Sequence, residues 1–151
     1  MLESRPLFTL RLDLHPAQMI GATPLGERRI APVSGGELVG DRIHGRVLPF
    51  AGADWLLQRR DGALQQDVRL TLETDDGALI LMSYRGVRHA SPEVSARLAR
   101  GEEVSPDDYY LRTAPFFETA AERYAWLNLI VAVAKGRRAG GSVIYDVYEI
   151  L

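Results

Sequence analysis

The sequence predicts an all-β fold: a single antiparallel, somewhat flattened β-barrel of about ten strands with one short helix. Turn-forming glycine, proline and aspartate residues recur along the whole chain, and the segments between them are short and alternate between polar and apolar residues. Because tight turns connect most of these segments, the sheet should be antiparallel, and a sheet of this size must close to hide its edges. With 151 residues, the chain is expected to form one domain over residues 1–151.

Alternation and turn residues place the individual strands. A hairpin of residues 64–74 and 78–85 is strongly indicated, because Asp76 and Gly77 both tolerate the positive φ angles of a tight turn. The last two strands are expected to pair across a glycine-rich basic turn at residues 135–141. The predicted strands cover residues 7–14, 27–33, 40–49, 54–59, 64–74, 78–85, 109–114, 124–134 and 142–150.

Helices should be few and short. Ser91 precedes Pro92, and a side-chain N-cap followed by proline at the first helical position predicts a helix that stops at Gly101. A further turn or two of helix is predicted over residues 117–124, where Thr119 and Glu122 have the spacing of a capping box.

Composition limits the functional classes. The formal net charge of −2 provides no field that would recruit nucleic acid or an anionic membrane. Cysteine is absent, which excludes disulfides, thiolate metal sites and a cysteine nucleophile, and the histidines have no metal-ligand spacing. The N-terminus reads as a strand and no apolar run reaches the length of a membrane helix. We therefore expect a cytoplasmic protein with no metal and no cofactor.

The strand over residues 64–74 carries two contrasting faces. Asp67, Arg69, Thr71 and Glu73 share one face, while Val68, Leu70 and Leu72 share the other. The polar face could simply meet water with weak cross-strand ion pairs. Alternatively, it could line a polar cavity inside the curved sheet.

The predicted strand over residues 124–134 has the same two-sided character. One face carries Tyr124, Trp126 and Asn128, which are typical of a small-molecule pocket but also of ordinary packing. If both aliphatic faces point to the same side, Asp67, Arg69, Trp126 and Asn128 meet in one cavity. The aliphatic face then points outward and needs cover from another subunit, which predicts a homo-oligomer; its residues are Ala125, Leu127, Leu129, Val131 and Val133.

Glu118 is a further candidate because it follows two phenylalanines after the break at Pro115. A carboxyl held beside aromatic rings has its charged form desolvated, which suits it to general acid or base work. Arg112 nearby would act in the opposite direction. The alternative is a surface salt bridge at the end of a strand.

A set of short motifs, each weak alone, occurs in a specific order along nearly the whole chain. Together they resemble the bacterial and fungal domain-of-unknown-function family 3237, also called uncharacterised protein family 0311. Where the family pattern reads Leu-Pro-Gly-Gly-Ala-Asp-Trp, this chain has Phe50 and Ala51 after the proline. The motifs are GRVLP (45–49), GADW (52–55), DG (61–62), DVR (67–69), TDDGALI (74–80), RTAP (112–115), FET (117–119) and YAWLN (124–128).

The resemblance implies a compact, oligomeric β-barrel without an assigned reaction. The motif residues overlap with those chosen from the strand faces and support a pocket. They are Asp54, Trp55, Asp67, Arg69, Arg112, Glu118, Trp126 and Asn128.

The leading functional hypothesis is a cofactor-independent isomerase, cyclase or lyase that acts on a small cyclic or aromatic metabolite. Glu118 or Asp67 would transfer the proton, and Arg69 and Arg112 would hold an anionic oxygen. Asn128 would orient the ligand, and its apolar walls would be Trp55, Tyr84 and Trp126. The alternatives are a barrel that binds a small molecule without turnover, and a structural or interaction protein that assembles through its aliphatic strand face. An interior packed solid with side chains would favour the last of these.

Overall fold

The computed structural model describes residues 1–151 and confirms the predicted fold class. The helix α1 (Pro92–Ala99) lies between β7 and β8, and two 3₁₀ helices cover Pro106–Asp108 and Glu122–Leu129. The strands are β1 (Ser4–Leu14), β2 (Gln18–Thr23), β3 (Gly26–Val39), β4 (His44–Val47), β5 (Ala53–Gln58), β6 (Leu64–Thr74), β7 (Leu79–Ala90), β8 (Tyr109–Glu118), β9 (Ala132–Ala139) and β10 (Ser142–Ile150).

Eight of the strands form a closed antiparallel barrel. Their order is β1-β10-β9-β8-β7-β6-β4-β3, and β3 pairs back onto β1 with Leu38 opposite Leu10. The other two strands lie outside this ring: β2 pairs with β3, and β5 bridges β3 and β6. Closure pairs the edges that an open sheet of this size would leave exposed.

The hairpin and the helix form where the sequence predicts them. Strands β6 and β7 pair from Glu73 opposite Leu79 onward, around a turn in which Gly77 has a φ of 85°. Ser91 caps α1, since its Oγ accepts a hydrogen bond from the backbone N–H of Val94 at 3.2 Å. Both elements depend on residues that are close together in the chain, which explains why they are readable from sequence.

The predicted strand over residues 124–134 is wrong. Glu122–Leu129 is a 3₁₀ helix, and β9 begins only at Ala132. Tyr124 and Leu127 are buried while the residues between them are not, which is the three-residue period of a 3₁₀ helix. The expected continuous aliphatic face is therefore absent, because Leu127 lies in the core while Leu129 is exposed.

The capping box expected at Thr119 is also wrong. The 3₁₀ helix begins after Ala121 without a side-chain cap, and the Thr119 hydroxyl instead donates a hydrogen bond to the carbonyl oxygen of Leu79. The short strand β2 was not predicted either.

Around the middle of β6 the barrel interior is filled by apolar side chains, so the interpretation in which the polar face of this strand lines an internal cavity is wrong. Val68, Leu70 and Leu72 are fully buried in the main core cluster. The interior of an eight-stranded barrel is only wide enough to be filled by side chains, and each Å² of apolar surface removed from water contributes about 25 cal/mol. The aliphatic face therefore turns inward, and the outer face carries Asp67, Arg69, Thr71 and Glu73.

The two ends of the barrel are covered differently. At the closed end, the 3₁₀ helix Glu122–Leu129 packs against the β6–β7 turn, and the Tyr124 hydroxyl donates to Oδ1 of Asp76 at 2.9 Å. The Asn128 amide bonds to both the backbone N–H and the carbonyl of Thr119, at 2.8 and 3.0 Å. At the opposite, open end, α1 lies beside the barrel and buries Leu98.

Candidate functional site

The inner face of the barrel changes from apolar to polar between the closed end and the open end. Along β7 the buried positions begin with Ile80 and Met82, and the face then continues through Tyr84 and Gly86 to Arg88. On β6, the run Leu72, Leu70 and Val68 is followed on the same face by Gln66. Polar groups are thus gathered inside the barrel near its open end, where α1 lies.

A cavity of about 320 Å³ lies at this open end, and we call it the polar chamber. Its polar lining includes Arg29, Asp54, Gln66, Arg88, Arg138 and Tyr145, together with Gln58, His89 and Ser95. Its apolar walls include Leu14, Leu56, Leu64, Leu111 and Val143, and Leu98 of α1 also borders it. Apolar walls with a few convergent polar groups are the usual make-up of a small-molecule site.

Asp54 is the acidic residue of the polar chamber, and it is 5% exposed. It lies on β5 opposite Val68, so its side chain shares the inward direction of the β6 core residues. Its Oδ1 accepts a hydrogen bond from the backbone N–H of Asp67 at 3.2 Å. Burial raises the pKa of Asp54 to about 7, although that hydrogen bond and the positive charge of Arg29 both act to lower it.

Two tyrosines lie deep in the same region. The rings of Tyr84 and Tyr145 meet edge to face with centroids 5.3 Å apart, and the Tyr84 hydroxyl has no hydrogen-bond partner in the protein. Burial raises the pKa of both hydroxyls well above their ordinary value, with further contributions from the nearby Asp54 charge. Both groups therefore stay protonated and can donate hydrogen bonds at neutral pH.

Gln66 is a buried polar residue in the wall of the polar chamber, and its Oε1 atom has no hydrogen-bond partner. Space for the Tyr145 ring comes from a glycine on the neighbouring strand β9. A Cβ atom at Gly136 would lie 2.7 Å from side-chain atoms of both Leu111 and Tyr145. Glycine at this position therefore lets the Tyr145 ring occupy the barrel interior.

Three arginines complete the chamber, and they come from three different strands. Arg29 lies on β3, Arg88 on β7 and Arg138 on β9, and all three are half-buried. Arg138 is held in place, because its Nη1 donates to the carbonyl oxygen of Leu98 and its backbone N–H donates to the Tyr109 hydroxyl at 2.9 Å. Burial and the positive charges of Arg138 and Arg29 lower the pKa of Arg88 to about 10.

The residues that the sequence analysis chose as acid or base lie outside the chamber. The Asp67 side chain is on the outer face of β6, although its backbone N–H reaches Asp54. Glu118 is exposed at the end of β8. Arg69 is exposed on the outer face and borders, together with Asp67 and Arg85, a shallow groove over β6, β7 and β8.

The other predicted ligand-binding residues are dispersed. Trp55 is partly exposed on the outer face of β5, and Arg112 lies on the outer face of β8 over the ring of Tyr110, at 4.7 Å. Trp126 is half-buried near the closed end, with the guanidinium of Arg42 over its ring at 4.2 Å.

The expected shared cavity of Asp67, Arg69, Trp126 and Asn128 is consequently not formed. Asn128 holds Thr119 at the closed end, while Asp67 and Arg69 lie on the outer surface of β6. Among the predicted residues, Tyr84 alone has its side chain inside the barrel beside the polar chamber.

The sequence does contain a signal for the residues that were missed. Gln66 continues the apolar face of Val68, Leu70 and Leu72, and Arg88 continues that of Ile80 and Met82. A polar side chain on an otherwise apolar strand face is a candidate for a buried functional group, because its burial costs free energy unless it is partnered. Asp54 was present in the family motif but was not selected.

Neither the α-helix nor the 3₁₀ helices have the length and apolar character that crossing a lipid bilayer requires. No group of three or more histidine, aspartate or glutamate side chains is arranged to hold a metal ion.

Comparison with known proteins places the chain among relatives of similar length. A UPF0311 protein of Rhodopseudomonas palustris is 37% identical over 150 residues, which are 99% of this chain and 97% of that protein. A solved β-barrel-like protein from Acinetobacter baumannii is 40% identical, with a TM-score of 0.87 and coverage of 100% of this chain and 97% of the other.

A third solved structure, of an enzyme from Penicillium herquei, shares the fold at 21% identity. Its TM-score is 0.73, over 99% of this chain and 95% of that protein. The family described as "Protein of unknown function (DUF3237)" matches residues 2–150. The chain therefore belongs to the DUF3237 family, as its ordered motifs predict.

Proposed function

We propose that the protein is an enzyme that, without a cofactor, moves a proton on a small cyclic or aromatic molecule bound in the polar chamber. The reaction class is isomerisation, cyclisation or elimination, and Asp54 is the group that takes and returns the proton. The observation that carries this proposal is the buried Asp54 carboxyl, which faces the chamber with a single hydrogen-bond donor and no ion-pair partner.

The chemistry of the surrounding groups supports this role. A carboxyl group that titrates near neutral pH can act as base in one step and as acid in the next. The Asp54 carboxylate would take a proton from a carbon next to a carbonyl group, and the electron pair of that C–H bond would move to the carbonyl oxygen. The Tyr145 hydroxyl can then donate a hydrogen bond to the enolate oxygen, where negative charge develops.

The second half of the reaction decides the product. Return of the proton from Asp54 to a different carbon completes an isomerisation, and its delivery to a leaving group completes an elimination. A cyclisation starts differently: Asp54 takes the proton of a hydroxyl of the same molecule, the hydroxyl oxygen adds to the far carbon of a double bond conjugated with the carbonyl, and Asp54 returns the proton to the carbon next to the carbonyl. None of these routes changes the oxidation state of the molecule as a whole, so none requires an oxidant or a reductant.

Two further points favour an enzyme. The volume of the polar chamber lies within the range of small-molecule sites, at its lower end. The Penicillium herquei protein with the same fold is described as an enzyme. Asp54 thereby takes the role that the sequence analysis gave to Glu118 and Asp67, both of which lie on the outer face.

The test is hydrogen–deuterium exchange at carbon. The protein is incubated in D₂O with a panel of cyclic and aromatic ketones and with bacterial metabolite extract, and deuterium incorporation is followed by mass spectrometry. We expect incorporation with the native protein and with Asp67→Asn, and its loss with Asp54→Asn. Equal incorporation by the native protein and Asp54→Asn, or none with the native protein, contradicts the proposal.

The second candidate is a binding barrel that holds the same class of molecule without turnover. The observation that favours it is the extent of the aliphatic walls, which bind an apolar body whatever the role of Asp54. A compound retained through purification, seen by native mass spectrometry and recovered without deuterium, supports this candidate over the enzyme.

A further inference from the structure

We propose that the molecule bound in the polar chamber is an organic anion, and that its carboxylate or equivalent oxyanion is held between Arg29, Arg88 and Arg138. This inference names the ligand class for the chamber and in that respect rests on the proposed function. Nothing in the family description or in the relatives assigns such a ligand.

Three guanidinium groups from separate strands converge on the polar chamber. The three guanidinium groups belong to β3, β7 and β9, which are not neighbours in the sheet, yet all three line one cavity of about 320 Å³. The three side chains meet at the open end of the barrel interior, where water is limited. Like charges brought together there repel one another more strongly than on the surface.

None of the three arginines forms a salt bridge with a carboxylate of the protein. The salt bridges of the structure involve other arginines, and none reaches Arg29, Arg88 or Arg138. By contrast, Arg5 and Arg42 near the closed end share the carboxylate of Glu149 at 2.7 and 2.6 Å. Buried charges in proteins are normally paired, so three half-buried cations without a salt bridge call for an anion from outside the chain.

Basic residues outnumber acidic residues in the lining of the polar chamber. Asp54 is the acidic residue in the lining of the chamber, against three arginines. The pKa of Arg88 is lowered by burial and by the other two arginines but stays far above neutral, so Arg88 remains charged. An anionic ligand would relieve this repulsion, and guanidinium groups bind planar carboxylates through paired N–H donors.

The remaining walls describe the rest of the ligand. Leu56, Leu64 and Leu111 face the same cavity and offer an apolar surface to a hydrocarbon or aromatic body. A free inorganic anion would leave these walls without contacts. The geometry therefore favours an organic acid with an apolar ring over phosphate or sulfate.

A matched set of probes tests the ligand class. Binding of 1-naphthoate, benzoate and cyclohexanecarboxylate is measured by titration calorimetry, alongside 1-naphthamide and inorganic phosphate. We expect at least one of the three carboxylates to bind, 1-naphthamide to bind at least 10-fold more weakly than 1-naphthoate, and phosphate to bind more weakly than the best carboxylate. Failure of all three carboxylates at millimolar concentration, or equal binding of acid and amide, overturns the inference.

A set of variants tests the residues. Arg88→Gln and Arg29→Gln should each weaken carboxylate binding at least 10-fold, whereas Arg69→Gln, on the outer face, should leave it unchanged. Removal of a repelling charge should not unfold the barrel, and thermal melting of each variant checks this. Unchanged affinity in both Arg88→Gln and Arg29→Gln overturns the inference.

The result is separable from that of the proposed function. Asp54→Asn removes the proton-transferring group but keeps the three arginines, so it should still bind the carboxylate. Carboxylate binding without deuterium exchange by the native protein would retain this inference and reject the enzyme. Exchange without carboxylate binding would do the reverse.

Discussion

The backbone N–H of Asp67 donates a hydrogen bond to Oδ1 of Asp54, with 3.2 Å between the two heavy atoms. The residues lie on the adjacent strands β5 and β6, and their side chains point to opposite faces of the sheet. Asp67 thus donates its backbone N–H to Asp54 while its carboxyl remains on the outer surface. Substitution of the Asp67 side chain leaves this hydrogen bond in place, which makes Asp67→Asn a suitable control for Asp54→Asn.

The first prediction concerns the pH dependence of stability. Since the pKa of Asp54 is raised to about 7, the folded protein keeps a proton there that the unfolded chain releases above about pH 4. The contribution of Asp54 to the free energy of unfolding should therefore fall as the pH rises from about 4 to 7. Asp54→Asn removes this titration and should be the more stable protein at pH 8, by up to about 4 kcal/mol, with no advantage at pH 4.

Urea unfolding at the two pH values measures this difference. Asp67→Asn should follow the pH profile of the native protein, because its side chain lies on the outer surface. Parallel profiles for the native protein and Asp54→Asn would show that Asp54 is ionised in the folded state at low pH.

The second prediction compares two tyrosine hydroxyls. Tyr84→Phe should leave stability unchanged or raise it by about 1 kcal/mol, because the hydroxyl is buried without a partner. Tyr124→Phe should lower stability by about 1 kcal/mol, because its hydroxyl donates to Asp76 at 2.9 Å. Chemical denaturation of both variants measures the contrast, and a larger loss for Tyr84→Phe would mean that its hydroxyl has a partner after all.

The third prediction concerns Phe50, which has a φ of 61° and a side chain that is 93% exposed. A residue with a Cβ atom is strained in this region of backbone conformation, and the ring makes little contact that could compensate. Phe50→Gly should therefore raise stability by up to about 1 kcal/mol, after allowance for the greater freedom of glycine in the unfolded chain.

Phe50→Ala is the control, since it removes the ring but keeps the Cβ atom. Thermal melting of the two variants separates strain from surface exposure. Equal melting temperatures for both would assign any gain to loss of the exposed ring.

The fourth prediction concerns the helix beside the polar chamber. Ser91→Ala removes the acceptor of the Val94 N–H and should destabilise α1 by about 1 kcal/mol. Because the lost cap destabilises the helix, the amides of α1 should exchange faster with deuterium. This helix also carries Leu98, whose carbonyl holds Arg138. Ser83→Ala on β7 should leave this exchange unchanged, and equal rates in the native protein and Ser91→Ala would reject the capping role.

The orientation of β6 shows where sequence analysis fails. The alternation of Asp67, Val68, Arg69 and Leu70 identifies two faces without saying which one lies inside. Only the closure of the ring, which leaves an interior just wide enough for side chains, assigns the aliphatic face to the core. For the same reason, the candidate site is formed by the few polar residues on the inward, mainly apolar face and not by Asp67 and Arg69.

The strand predicted around Trp126 is wrong for a different reason. Its mixture of aromatic and aliphatic residues fits a period of two as well as a period of three over so short a stretch, and β-propensity favours the strand. Contacts with residues far away in the chain stabilise the 3₁₀ helix instead. The Tyr124 hydroxyl donates to Asp76, and the Leu127 side chain packs in the main core cluster.

The sequence by itself determined the features that depend on neighbours along the chain: the antiparallel strands, the turn at Gly77, the cap at Ser91 and the family. The tertiary structure alone decided which face of each strand is buried, and thereby brought Asp54, Arg29, Arg88 and Arg138 to one chamber. The physical reason is that alternation is a local property of a strand. Inside and outside exist only once distant strands pair and close the barrel.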